Sequence, residues 1–119
     1  EVDEKTIQFL SEPDPKKLPW GELDIDVVME STGVFTTYEK AGMHKEAGAK
    51  KVVISAPAKD DENEGSLGNT VLMGVNDDVL NTCTISSNGS CTTNSMSAIV
   101  NELHKRFGIE KGMFSTVHS

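Results

Sequence analysis

The chain has 119 residues, a formal net charge of -8 and two cysteines, a length near the mode for one domain and sufficient to bury one core. Its lysines pair only at Lys16-Lys17 and Lys50-Lys51, and without a basic stripe to neutralise phosphates a nucleic-acid surface is excluded. No apolar run reaches membrane-spanning length, no signal-peptide pattern occurs, and the cysteines show neither C-x-x-C spacing nor a histidine cluster, so the expectation is a cytoplasmic chain with free thiols, no metal site and no membrane contact.

Residues 6–10 form a short strand candidate, followed by a turn rich in Pro and Lys over residues 12–18. Residues 26–32 (DVVMEST) read as a buried strand. Thr36-x-x-Glu39 matches a capping box, and the helix it opens runs to about Ala47 with Gly48 as its stop. Residues 51–55 (KVVIS) are a second buried strand, ended by Ala56-Pro57. Strand, helix and strand in this order predict a βαβ unit with parallel strands and a right-handed crossover. A polar, acidic loop covers residues 59–69, and residues 70–75 and 83–87 are two further strand candidates. The architecture expected is α/β. In sheets of this kind ligands bind at the carboxyl ends of the strands, here Glu30-Ser31-Thr32-Gly33, Ser55-Ala56-Pro57 and residues 87–91. A G-x-G-x-x-G phosphate fingerprint is absent from the chain.

Ser90-Cys91-Thr92-Thr93-Asn94 carries the most chemical information. The cysteine sits where the Asn88-Gly89 loop gives way to helical apolar spacing at Met96, Ile99, Val100, Leu103 and Phe107. A thiol at a helix start faces unpaired N–H groups and the positive end of the macrodipole, both of which favour thiolate. That suits a nucleophile; the plainer reading is a small apolar cysteine packed under a helix. The helix is predicted over residues 92–107, with Gly108 as the C-terminal stop and Lys105 and Arg106 against the negative dipole end. Such a helix carries the chain about 24 Å from Cys91. A returning strand over residues 109–118 spans up to ~33 Å, enough to bring His118 back beside the thiol as general base. His44 and His104 lie among charged neighbours in predicted helices and are expected on solvated faces. The chain starts at Glu1 and stops at Ser119, directly after His118. It is therefore expected to be an internal piece of a longer protein.

These motifs resemble the glyceraldehyde-3-phosphate dehydrogenase family from about Lys5 to Ser119. The resemblance rests on S-C-T-T-N (Ser90 to Asn94), S-T-V-H (Ser115 to His118), W-G-E (Trp20 to Glu22), E-S-T-G-x-F (Glu30 to Phe35), E-A-G-A-K-K-V-V-I-S-A-P (Glu46 to Pro57) and M-G-V-N (Met73 to Asn76). It implies the second part of a Rossmann-type parallel sheet domain, lacking its glycine-rich first half, over residues 1–90. The active-site helix and first strand of an α+β catalytic domain would follow over residues 91–119. By the same resemblance Cys91 is the nucleophile and His118 its base, with Ser90 and Thr92 binding substrate and the attacking phosphate. Thr32, Gly33, Phe35 and Ser55 would contact NAD, and Pro13 occupies a cofactor-contact position that often carries Arg. Ser95 stands where a second cysteine is common, the acidic loop after Pro57 is longer than usual and the segment between Asn76 and Ser87 is shorter.

The implied activity is NAD-dependent oxidation of glyceraldehyde 3-phosphate with uptake of inorganic phosphate, a step of glycolysis, in a homotetramer. Erythrose 4-phosphate is the alternative substrate within the family. A Cys/His acyl hydrolase and a non-catalytic scaffold are the readings outside it.

Overall fold

In the computed structural model, residues 3–59 and 67–118 are described. Most of the predicted acidic loop, residues 60–66, lies outside them. The elements are β1 (Val27–Glu30), α1 (Tyr38–Glu46), β2 (Lys51–Ile54), β3 (Asn69–Thr70), β4 (Ile85–Ser87) and α2 (Cys91–Phe107), with 3-10 turns at Pro15–Lys17 and Asp77–Asn81. The four strands form one parallel sheet in the order β1-β2-β4-β3. The α/β expectation and the parallel βαβ unit both hold. Among the described residues no helix is long and apolar enough to cross a membrane.

β1 and β2 alternate, so only one side chain in two reaches the core there, whereas Ile85, Ser86 and Ser87 of β4 are all buried. Val28 and Glu30 of β1 and Val52 and Ile54 of β2 point inward, where Tyr38 and Ala41 of α1, Ala49 and Ile85 close around the apolar ones. Val27 and Met29 remain 51% and 69% exposed. The expectation of a buried strand is thus corrected for β1, because α1 covers one face of the sheet while the other is covered mainly at β4, where the Asp77–Asn81 turn brings Leu80 near Val53 and Ser86. β1 is also an edge strand, and a groove of about 690 Å³ runs along it.

Two other expectations need correcting. The cap of α1 is Thr37, whose Oγ1 accepts the Lys40 N–H at 3.2 Å. Thr36 is buried and its carbonyl is taken by the Lys59 N–H at 3.0 Å, which holds it in the turn before the helix. Residues 6–10 adopt no strand, since Thr, Ile and Phe supply β propensity but no neighbouring strand to pair with. The stretch 70–75 keeps only its first residue in β3, because Asn76 Oδ1 accepts the Leu72 N–H (2.8 Å) while its Nδ2 donates to the Thr70 carbonyl (3.0 Å), turning the chain away from the sheet.

The stop after α1 depends on glycine. Gly48 has φ +104°, and a Cβ there would lie 2.5 Å from Gly21 Cα. Only two glycines allow the Trp20 segment to approach the end of α1 this closely.

Candidate functional site

Three strand ends converge. At the end of β1 the chain passes through Ser31 and Thr32 to Gly33, which has φ +75° and open space around its Cα. At the end of β2 the Ser55 N–H donates to the Glu30 carbonyl at 3.0 Å, and the Ser55 hydroxyl lies 2.9 Å from Ser31 Oγ. At the end of β4 the fully buried Ser87 hydroxyl donates to the Ala56 carbonyl (2.8 Å) and accepts the N–H groups of Ala58 (3.2 Å) and Gly89 (3.1 Å). The Asn88 N–H reaches the Ile54 carbonyl at 2.9 Å. Thr32 and Ser55 are therefore brought to one end of the sheet, the same end from which the chain enters α2.

Cys91 is the first residue of α2 and its thiol is exposed. Ser90 is the N-cap, its Oγ accepting the Thr93 N–H at 3.0 Å and lying 2.9 Å from Thr92 Oγ1. Asn94 Nδ2 donates to the carbonyls of Asn88 (2.7 Å) and Ser90 (2.8 Å), fastening the loop to the first helical turn. The small hydroxyl residues around the cysteine thus shape the turn that presents it at the start of α2. Cys83 is half-buried and lies just before β4, not within it as predicted.

No hydrogen bond joins His118 to Cys91 among the described residues, although Phe114 of the same tail lines a cavity with Met96, Val100 and His104 of α2. Residues 109–118 form no strand, and Met113 and Val117 are 99% and 97% exposed. A strand requires a partner edge for its N–H and C=O groups, and none lies alongside these residues among those described. α2 ends as predicted at Gly108, and His104 is exposed, its Nδ1 accepting the Ile109 N–H at 3.1 Å. Pro13 is exposed beside the Pro15–Lys17 turn, while its neighbour Glu12 lines the β1 groove together with Thr32.

His44, expected on a solvated face, is buried. Its Nδ1 accepts the indole N–H of Trp20 at 3.0 Å, and its Nε2 lies 2.7 Å from Glu30 Oε2. Glu30 is buried as well, and its other oxygen accepts both the N–H of Thr32 (2.7 Å) and the Thr32 hydroxyl. Burial pushes the Glu30 carboxyl up, but the hydrogen bonds from Thr32 and His44 outweigh it and hold the group below the usual glutamate value. Phe35 packs edge-on against the His44 ring, with centroids 6.3 Å apart.

Comparison with known proteins gives one consistent result. The family model described as glyceraldehyde 3-phosphate dehydrogenase, NAD binding domain, matches residues 1–38. The model for the C-terminal domain of the same enzyme matches residues 90–119. Glyceraldehyde-3-phosphate dehydrogenase of Thermotoga maritima is 54% identical over 119 residues, 99% of this chain and 34% of the relative. Those of Clostridium pasteurianum and Geobacillus stearothermophilus are 50% and 48% identical, each with the same 99% and 34% coverage. The chain spans about a third of the length of these curated relatives. By motifs, fold and similarity alike, this chain belongs to the glyceraldehyde-3-phosphate dehydrogenase family.

Proposed function

We propose that the chain contributes the cofactor-side loops and the nucleophile of an NAD-dependent dehydrogenase that converts glyceraldehyde 3-phosphate and inorganic phosphate to 1,3-bisphosphoglycerate. The observation that carries this reading is an exposed Cys91 at the start of a 17-residue helix, entered from the strand-end crevice that holds Thr32 and Ser55. Open backbone groups there support a dinucleotide site. Neither the Thr32 carbonyl nor the Gly33 N–H takes a hydrogen-bond partner among the described residues, and a ligand can approach Gly33 without meeting a side chain. Residues 1–90 belong to the cofactor domain in this reading, and residues 91–119 open the catalytic domain of a cytoplasmic homotetramer.

Cys91 thiolate adds to the aldehyde carbon, forming a C–S bond as the C=O π pair moves to oxygen, which takes a proton from the imidazolium of His118 to give a thiohemiacetal. His118 takes the hydroxyl proton as the carbonyl reforms. When bound, NAD would supply the acceptor for the hydride that leaves the same carbon. Ser90 and Thr92 hold the phosphate whose oxygen then attacks the thioester, and Cys91 departs as thiolate, releasing the acyl phosphate. A thioester retains acyl-transfer potential, and a stabilised thiolate is a good leaving group. In this reading His118 is held in position by packing against the rest of the catalytic domain.

The test is NADH absorbance in a full-length dehydrogenase carrying this sequence, with glyceraldehyde 3-phosphate and phosphate as substrates. Turnover is expected, and Cys91→Ser is expected to abolish it. Faster turnover of erythrose 4-phosphate would move the assignment to that substrate, and ester hydrolysis without NAD would replace it with the hydrolase reading. In the folded enzyme Cys91 should also be alkylated by iodoacetamide ahead of the half-buried Cys83.

A further inference from the structure

The buried chain Trp20–His44–Glu30–Thr32 has a defined direction. An indole N–H can only donate, so His44 Nδ1, 3.0 Å away, carries no proton. The proton of His44 is therefore on Nε2 and points to Glu30 Oε2 at 2.7 Å. Glu30 accepts it as a carboxylate, and its second oxygen takes the N–H and the hydroxyl proton of Thr32. With that proton given away, Thr32 Oγ1 is left to accept the Val34 N–H at 3.1 Å. Every donor in the series has one acceptor, and the series ends in the turn that the cofactor reading assigns to NAD. Phe35, at the far end of that turn, rests on the His44 ring.

We infer that Trp20, His44 and Glu30 are positioning residues for the dinucleotide: their hydrogen bonds set the backbone of the Thr32–Phe35 turn against which NAD is held. The inference rests on the cofactor reading and assigns these residues no contact with substrate. A buried glutamate is costly unless its oxygens are all paired, and here all of its accepted bonds lead either to the turn or to the histidine that supports it.

The hydrogen-bond logic supplies a test that a simple packing role would fail. Glu30→Gln places an amide N–H2 against either His44 Nε2–H or the Thr32 N–H, donor against donor in both orientations. In a full-length dehydrogenase carrying this sequence, Glu30→Gln should raise the KM for NAD by about 10-fold or more. kcat at saturating NAD should stay within about 3-fold. Adding Trp20→Phe removes the indole donor, so His44 can carry its proton on Nδ1 and accept the new amide through Nε2. The double variant Trp20→Phe/Glu30→Gln should therefore return the KM for NAD to within about 3-fold of the unsubstituted enzyme, a coupling of opposite sign to additive damage.

An unchanged KM in Glu30→Gln, or a further loss in the double variant, overturns the inference. Should Glu30→Gln fail to fold, 15N resonances of the unsubstituted enzyme decide: His44 is expected as the Nε2–H form, with its signals and that of the Trp20 indole moving on NAD addition. The absence of any response to bound NAD overturns the relay. An unsubstituted enzyme that binds no NAD overturns the cofactor reading itself.

Discussion

The two ends of the chain solve the problem of placing a functional side chain in different ways. Around β1, α1 and β2, Thr32 is held by Glu30, two residues away, and Glu30 is fixed in turn by groups distant in sequence, His44 on the helix and, through it, Trp20 before the sheet. Around α2, Cys91 is held by its immediate neighbours, Ser90 as cap and Asn94 as brace. The first region has its core closed, with Tyr38, Ala41, Val52 and Ile54 each no more than 1% exposed. α2 has no buried residue, and its stripe of Ile99, Val100, Leu103 and Phe107 is 42–78% exposed. Local chemistry is enough to present an exposed thiol at a helix start. It does not by itself tie in a second group from a distance, and no hydrogen bond links His118 to the thiol among the described residues.

The largest expected effect tests that contrast at the base. In a full-length dehydrogenase carrying this sequence, His118→Asn should slow hydride transfer by ~10²–10⁴ with little change in NAD affinity, measured by single-turnover absorbance. A loss confined to NAD affinity would place His118 with the cofactor loops. Next in size is Ile54→Ala in the 119-residue chain, expected to cost about 2–5 kcal/mol in denaturant unfolding because Ile54 is fully buried. Ser90→Ala removes the cap of α2 and should cost ~1 kcal/mol of helix stability, read by circular dichroism.

The acid limb of stability sharpens the comparison further. The pKa of Glu30 is lower in the folded chain, so its contribution is present above the ordinary glutamate value and is lost as pH falls through the lowered one. Glu30→Gln should flatten that limb, while substitution of the exposed Glu102 should leave it as it is. The smallest effect belongs to Leu103→Ala, expected within about 0.5 kcal/mol in the 119-residue chain because the side chain already faces solvent. A cost near that of Ile54→Ala would mean that the α2 stripe is covered in solution.

The pattern of what the sequence disclosed follows the same division. α2 was legible from end to end, since its apolar spacing, its glycine stop and its hydroxyl-rich start are all local signals. The parallel βαβ unit was equally clear from two short apolar runs around a helix. The strand over residues 109–118 was over-read, because alternation and β propensity say nothing about whether a pairing edge is present. His44 was misjudged because its partners lie 14 and 24 residues away, and flanking charges say nothing about which way the helix turns that one residue. One signal could have found it: Glu30 shares the inward parity of Val28 on β1, and a buried carboxylate demands a donor.

Ser87 has one proton and two lone pairs, and all three are spent on Ala56, Ala58 and Gly89. Alanine there would orphan three backbone groups, threonine would add a methyl where no space is left, and cysteine is too long for the same contacts. A saturation-mutagenesis map of activity should accordingly show Ser87 to be as intolerant as Cys91, although no ligand need ever touch it. Intolerance at Ser87 would then mark the knot that joins the three strand ends rather than a contact with a ligand.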